Sequence, residues 1–293
     1  MNLPKIASIS KKIVVACVGL FLLLFLLVHL GINLCLLRPD DGAWFIAASN
    51  FMGTNYIVKV FEVVLFAVLF IHIILTVALQ IQNWKARPVR YHQASKSKTS
   101  AASKTMIWTG GLVLCFLVLH FANFYFVKMG WVEGKYMIKT EELFSTELQN
   151  EYMAATQGKL SEEETAEFQT KMEKINAVAV KAEAEGLSSS DMKWILNLSA
   201  EDVEPLEGIV EGVEPDFYHM SYELFQNKAY SIIYIILFIA LAFHLVHAMQ
   251  SAFQTLGLNH NKYNKFIEGF SWIYAIVIAV GFAIIPIYIM FFV

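Results

Sequence analysis

Residues 13–37 read IVVACVGLFLLLFLLVHLGINLCLL, twenty-five positions with no charged residue and a single histidine, His29. At 1.5 Å per residue a helix of this length reaches about 38 Å, enough to cross the ~30 Å hydrocarbon core of a bilayer. The run is too long for the apolar core of a signal peptide and has no small-x-small cleavage site, so it reads as a retained membrane helix. Four more stretches repeat the pattern, at about 57–83, 105–128, 229–256 and 266–293. Trp44, Trp84, Trp108 and Trp131 fall near span ends, where interfacial anchors belong.

The composition of all 293 residues agrees. It is 57% hydrophobic and only 16% charged, against about 25% charge in soluble domains. With 15 Gly, 6 Pro and 3 Cys the chain is neither collagen-like, disordered nor disulfide-stapled. A net charge of −3, with no basic stripe beyond the membrane flanks, argues against nucleic acid as a partner.

That net charge conceals a partition. Residues 129–228 hold 21 of the 25 acidic residues but only 8 of the 22 basic ones. The short segments before span one, between spans two and three, and between spans four and five carry Lys5, Lys11, Lys12, Lys85, Arg87, Arg90, Lys96, Lys98, Lys104, Lys262 and Lys265 and no acid. Positively charged short segments stay in the cytoplasm, so the N-terminus is expected inside and residues 129–228 outside. Within the insertion, Ser161-Glu162-Glu163-Glu164 reads as a capping box opening a Glu/Ala-rich helix that Gly186 stops; Pro205 and Pro215 bracket a second turn region. The expected fold is therefore all-α: a five-helix membrane bundle interrupted by a largely helical, acidic insertion. Membrane helices one to three occupy 1–128, the insertion 129–228, and helices four and five 229–293.

Ionisable side chains inside a span are costly and mark functional sites. Five of the eight histidines lie in spans: His29, His72, His120, His244 and His247, covering spans one to four. A lone one would read as an interhelical hydrogen bond or a proton relay. Four on consecutive helices, at matched depths, read as pairs of imidazoles gripping haem iron, with His72, His244, His29 and His120 as the iron ligands. His29 lies ~24 Å and His120 ~22 Å from the cytoplasmic ends of their spans; His72 lies ~16 Å and His244 ~18 Å from theirs. This pairs His29 with His120 toward the outside and His72 with His244 toward the cytoplasm. His247, one turn beyond His244, is the alternative fourth ligand or a partner for a haem propionate or quinone. Gly19 and Gly110, each ten residues before a ligand, offer side-chain-free surface to the inner porphyrin, or ordinary close helix packing. Cys17, Cys35 and Cys115 lack any C-x-x-C spacing and read as small apolar fillers.

The residues LLVHLGIN around His29, FIHIILTV around His72, LVLHFANF around His120 and AFHLVHAMQSAFQTLGLNH from His244 onward resemble the single-chain di-haem cytochrome b anchor of succinate dehydrogenases and fumarate reductases. The resemblance covers roughly 5–130 and 217–293 and leaves out the long insertion. It implies two b haems, a membrane quinone (with two haems usually menaquinone) as electron partner, handled near the outer haem or else near the inner one, and a bacterial cytoplasmic membrane location. It also implies two cytoplasmic partners: a flavoprotein with covalent FAD that performs the dicarboxylate chemistry, and a three-cluster iron–sulfur protein. Lys85–Lys104 and the turn Gly257–Lys265 are the expected docking surfaces. Asn33, Trp44, Tyr56, Lys59, Glu62 and Asn123, on the outer side, are the quinone candidates, with Glu62 the best acid for a proton route or else a surface partner of Lys59. Two other readings stand beside this one. A cytochrome b of another quinone-linked dehydrogenase usually concentrates its histidines on fewer helices, and a haem-free proton-coupled transporter would use them to carry protons.

Overall fold

The computed structural model describes residues 8–86, 101–143, 146–189, 193–210 and 212–293. Helix α1 (Ser8–Asn33) ends in a 3₁₀ turn, Leu34–Leu37; α2 (Ala43–Thr54) and α3 (Tyr56–Ala86) follow. Helix α4 (Ala101–His120) passes through a π turn, Phe121–Tyr125, before α geometry resumes over Phe126–Lys128. Then come β1 (Tyr136–Lys139), α5 (Thr146–Thr156), α6 (Glu162–Glu185), β2 (Trp194–Leu198), β3 (Glu214–Pro215), α7 (Phe217–Gln226), α8 (Lys228–Thr255) and α9 (Asn264–Phe292). Among the described residues, five helical stretches are long and apolar enough to cross a membrane: Ile9–Leu37, Tyr56–Ala86, Thr105–Lys128, Lys228–Thr255 and Asn264–Phe292. Each lies within a few residues of its expected span.

The chain divides into two compact units. The first comprises Met1–Leu37, Ala48–Leu117 and Gln226–Val293, and holds most of the spanning helices. Its best-packed part is α8 against α9, with α1 against both. Gly281 of α9 explains the closeness there, since a Cβ would fall 2.8 Å from Cδ2 of Leu30. The hydroxyl of Tyr274 in α9 donates to the carbonyl of Leu23 in α1, a hydrogen bond buried between two apolar helices. Helix α3 packs on α1 yet buries none of its side chains fully.

The second unit is Arg38–Ala47 with Val118–Phe225. It is largely helical, as expected, and adds a small antiparallel sheet in which β2, β1 and β3 stand in that order. Tyr136 faces Leu198 and Ile138 faces Ile195 across the first ladder; Met137 faces Glu214 across the second. Alternation along the strands serves two cores. Ile138, Ile195 and Leu198 join Ile175, Val178 and Ala182 of α6, while Met137 and Leu196 meet Ile46 from the connection after span one. That connection belongs to the same compact unit as the insertion. The expected capping box at Ser161 and Glu164 is present, and Gly186 closes α6 with φ of 65°.

Candidate functional site

Within the first unit, α3 and α8 bring His72 and His244 together. Their ring centroids are 6.4 Å apart with the planes at 73°. Each helix runs unbroken through its histidine, and each histidine Nδ1 is buried without a hydrogen-bond partner. Two unpartnered imidazole nitrogens in an apolar setting are expensive, and such groups in a folded chain call for a ligand or a role. The hydroxyl of Thr76 donates to the His72 carbonyl at 2.7 Å, adding a bond one turn along α3. Gly110 of α4 lies beside the pair: a Cβ there would stand 3.6 Å from Cε1 and 3.7 Å from Nδ1 of His244. The structure thus puts Gly110 against His244 of this pair, whereas a Cβ at Gly19 would meet nothing within 4 Å. His247 is half-buried, one turn beyond His244.

His29 is set in aromatic surroundings of the same unit. Phe25 stacks on its ring at 5.3 Å, and Phe282 lies tilted against it at 5.6 Å. Phe282 stacks in turn on Phe238, and Phe238 meets Phe116 edge-on. Asn33, one turn along α1, donates from Nδ2 to the His29 carbonyl at 2.8 Å and lies 3.4 Å from the ring Nδ1.

His120 falls in the second unit, at the start of the π turn, with Phe124 against its ring at 5.2 Å. The pairing of His29 with His120 therefore rests on their positions along the spans. Of the quinone candidates, Tyr56, Lys59 and Glu62 share the first two turns of α3, the first two exposed and Glu62 half-buried. Trp44 is exposed beneath the Arg38 guanidinium, 4.6 Å from its ring centre, and Asn123 sits half-buried in the π turn. Most of the basic segment after α3, including Arg87, Arg90, His92, Lys96 and Lys98, lies outside the described residues. Among the described residues no group of three or more His, Cys, Asp or Glu side chains could hold a metal ion by itself.

Two features carry no signal that the sequence alone makes readable. The π turn has no simple sequence signature. Asp216 looks like one acid among many, yet it is fully buried in the second unit. Comparison of the chain with protein-family models, curated proteins and solved structures returned no match.

Proposed function

We propose that this chain is the membrane-anchor cytochrome b of a succinate:quinone oxidoreductase, a succinate dehydrogenase or fumarate reductase, holding two haem b groups between paired histidines. The observation that carries the reading is the close approach of the His72 and His244 rings, 6.4 Å between centroids with the planes at 73°. An imidazole nitrogen binds a first-row metal at about 2 Å and its ring centre lies about 1 Å behind, so two imidazoles on one ion have centroids about 6 Å apart. The 6.4 Å separation fits that span, the rings' Nδ1 atoms have no other partner, and Gly110 supplies a flat wall beside them.

In this reading His72 and His244 hold the inner haem, and His29 and His120 the outer one. Bound haem would supply one-electron carriage across the membrane; the chain's own residues fix ligand direction and exclude water with the Phe25, Phe116, Phe238 and Phe282 rings. Glu62, Lys59 and Tyr56 would meet the quinone head group and its protons at the outer end of α3. Succinate or fumarate is handled on the FAD-bearing partner, reached through the three-cluster iron–sulfur partner at the cytoplasmic face, where the Gly257–Lys265 turn contributes Lys262 and Lys265. The orientation, and with it a bacterial inner-membrane setting, rests on the basic segments and on the family resemblance.

A visible spectrum of the purified chain tests the proposal. Paired b-type bands that sharpen on dithionite reduction are expected. A colourless protein from cells supplied with haem precursor would sink it in favour of a haem-free transporter. Co-purification and mass spectrometry are expected to find the flavoprotein and iron–sulfur partners; a hydrogenase or nitrate reductase subunit in their place would assign the cytochrome to another dehydrogenase.

A further inference from the structure

We propose that the second unit is a splint for His120, holding the direction of that imidazole through Phe124 and Phe217; as a statement about haem it rests on the reading above.

His120 and the π turn belong to the same compact unit as the insertion. A π turn carries one residue more than an α turn, here closed by the Phe126 amide donating to the Phe121 carbonyl. Everything beyond it is rotated relative to His120 by about one residue's share of the helix, ~100°. Helical periodicity therefore carries α4 as far as His120 but does not relate it to Phe126–Lys128, so contacts beyond the helix bear on how His120 is set against the rest of its unit.

The aromatic rings supply such contacts. Phe124 lies against the His120 ring at 5.2 Å, and Phe217, the first residue of α7, lies against Phe124 at 6.3 Å. The start of α7 is pinned by Asp216. Its carboxylate accepts the amides of Asn197 at 2.8 Å and His219 at 3.1 Å, and pairs with His219 Nδ1 at 2.7 Å. The Asp216 amide itself donates to the Lys135 carbonyl, just before β1. Asp216 is a rigid joint: its buried carboxylate takes three donors from β2 and α7, its amide ties it to the lead into β1, and a broken bond leaves the buried carboxylate short of a partner. Beyond the π turn the chain is seated a second time. Val127 is buried and a Cβ on Gly134 would overlap it, while Phe126 packs on Trp131 at 5.3 Å. An insertion serving only as a solvated cap would need neither the buried joint nor the ring-to-ring path to a ligand. This gives the insertion a task in the membrane chemistry without any catalytic group of its own.

Asp216→Ala and Phe217→Leu test the splint. The first opens the joint, and the second keeps the joint but removes the ring on Phe124, so it serves if the first variant does not fold. Amide hydrogen exchange over 121–128 is read first, on the haem-free chain, and is expected to quicken about tenfold or more in Asp216→Ala. In the haem-loaded chain, low-spin EPR g-values and the midpoint potential are expected to shift for the haem that His120→Ala removes, and to stay fixed for the haem that His244→Ala removes. Lys181→Ala, which breaks the Lys181–Asp202 pair in the same unit, is expected to move neither. Unchanged exchange over 121–128 in Asp216→Ala, equal shifts in both haems, or a Lys181→Ala effect as large as that of Phe217→Leu overturns the splint. If the wild-type chain binds no haem, the functional reading fails by itself, and the exchange measurement still decides the mechanical coupling.

Discussion

His72 and His244 sit inside helices that keep α geometry for 31 and 28 residues, whereas His29 and His120 sit where their helices leave it. Five residues after His29 the chain tightens into a 3₁₀ turn, and directly after His120 it widens into a π turn. The difference teaches how much a ligand pair asks of its scaffold. Two long helices of one unit bring histidines together while each keeps its α periodicity. Near a helix end a neighbouring side chain meets each imidazole: Asn33 one turn beyond His29, and Phe124 within the π turn that follows His120.

The sharpest way to break this comparison is to delete ligands. His72→Ala and His244→Ala are each expected to abolish the same haem completely while the other remains, and His29→Ala and His120→Ala to abolish the second. Pyridine haemochrome counts and redox titration read the result. Loss of the same haem in the His29 and His72 variants would refute the pairing.

Next in size is Gly110. Alanine there would make only ordinary van der Waals contact with His244, so Gly110→Ala is expected to keep both haems. Gly110→Leu must push the imidazole aside, an overpacking cost of about 1–3 kcal/mol concentrated on the inner pair. Partial loss of that haem alone is the expected result, measured by haem occupancy against protein. Equal loss of both would mean that Gly110 serves general helix packing.

Much of this architecture is legible in the sequence, for reasons that differ by region. A bilayer imposes a length and a polarity, so five apolar runs can be bounded within a few residues, and a histidine in such a run stands out against its surroundings. Local rules also serve wherever the chemistry is local: Ser161 with Glu164, and Gly186 at positive φ, obey capping preferences that need no tertiary partner. The sheet is not legible, because β1 is four residues and β3 two, and their pairing is decided by Ile46, α6 and Asp216 from distant parts of the chain. Nor does the sequence separate Asp216 from the other acids of the insertion, since burial is what distinguishes it. The π turn has no simple residue signature, and the part of the second unit that holds the insertion begins earlier in the chain than residue 129, at Val118.

A smaller effect sharpens the first unit's side of the comparison. Tyr274→Phe keeps the ring and removes the hydroxyl that donates to Leu23, and is expected to cost about 1 kcal/mol. The expected thermal shift is a few degrees, with both haem spectra unchanged. A change in either haem potential would show that α1 and α9 transmit strain to the ligands, and regular packing would then be no more self-sufficient than the helix ends.

The smallest effect belongs to the second unit's surface and has a definite sign. Asp202 loses some hydration beside α6, which would raise its pKa, but the Lys181 ammonium 2.7 Å away and the Ser199 hydroxyl and amide outweigh this and hold the carboxyl below its ordinary value. A carboxyl depressed in the fold contributes stability above its unfolded pKa, about 3.9, and that contribution fades as pH falls through the lower folded value. Amide exchange in α6 is therefore expected to respond to Asp202→Asn at about pH 6 to 7, with the difference between variant and wild type closing as the medium is taken below about pH 4. The pair is partly exposed, so the change is expected to stay within a factor of a few. If the two proteins instead diverge on acidification, the Lys181–Asp202 pair does not hold α6, and the rigidity of the unit must come from Asp216 and the sheet alone.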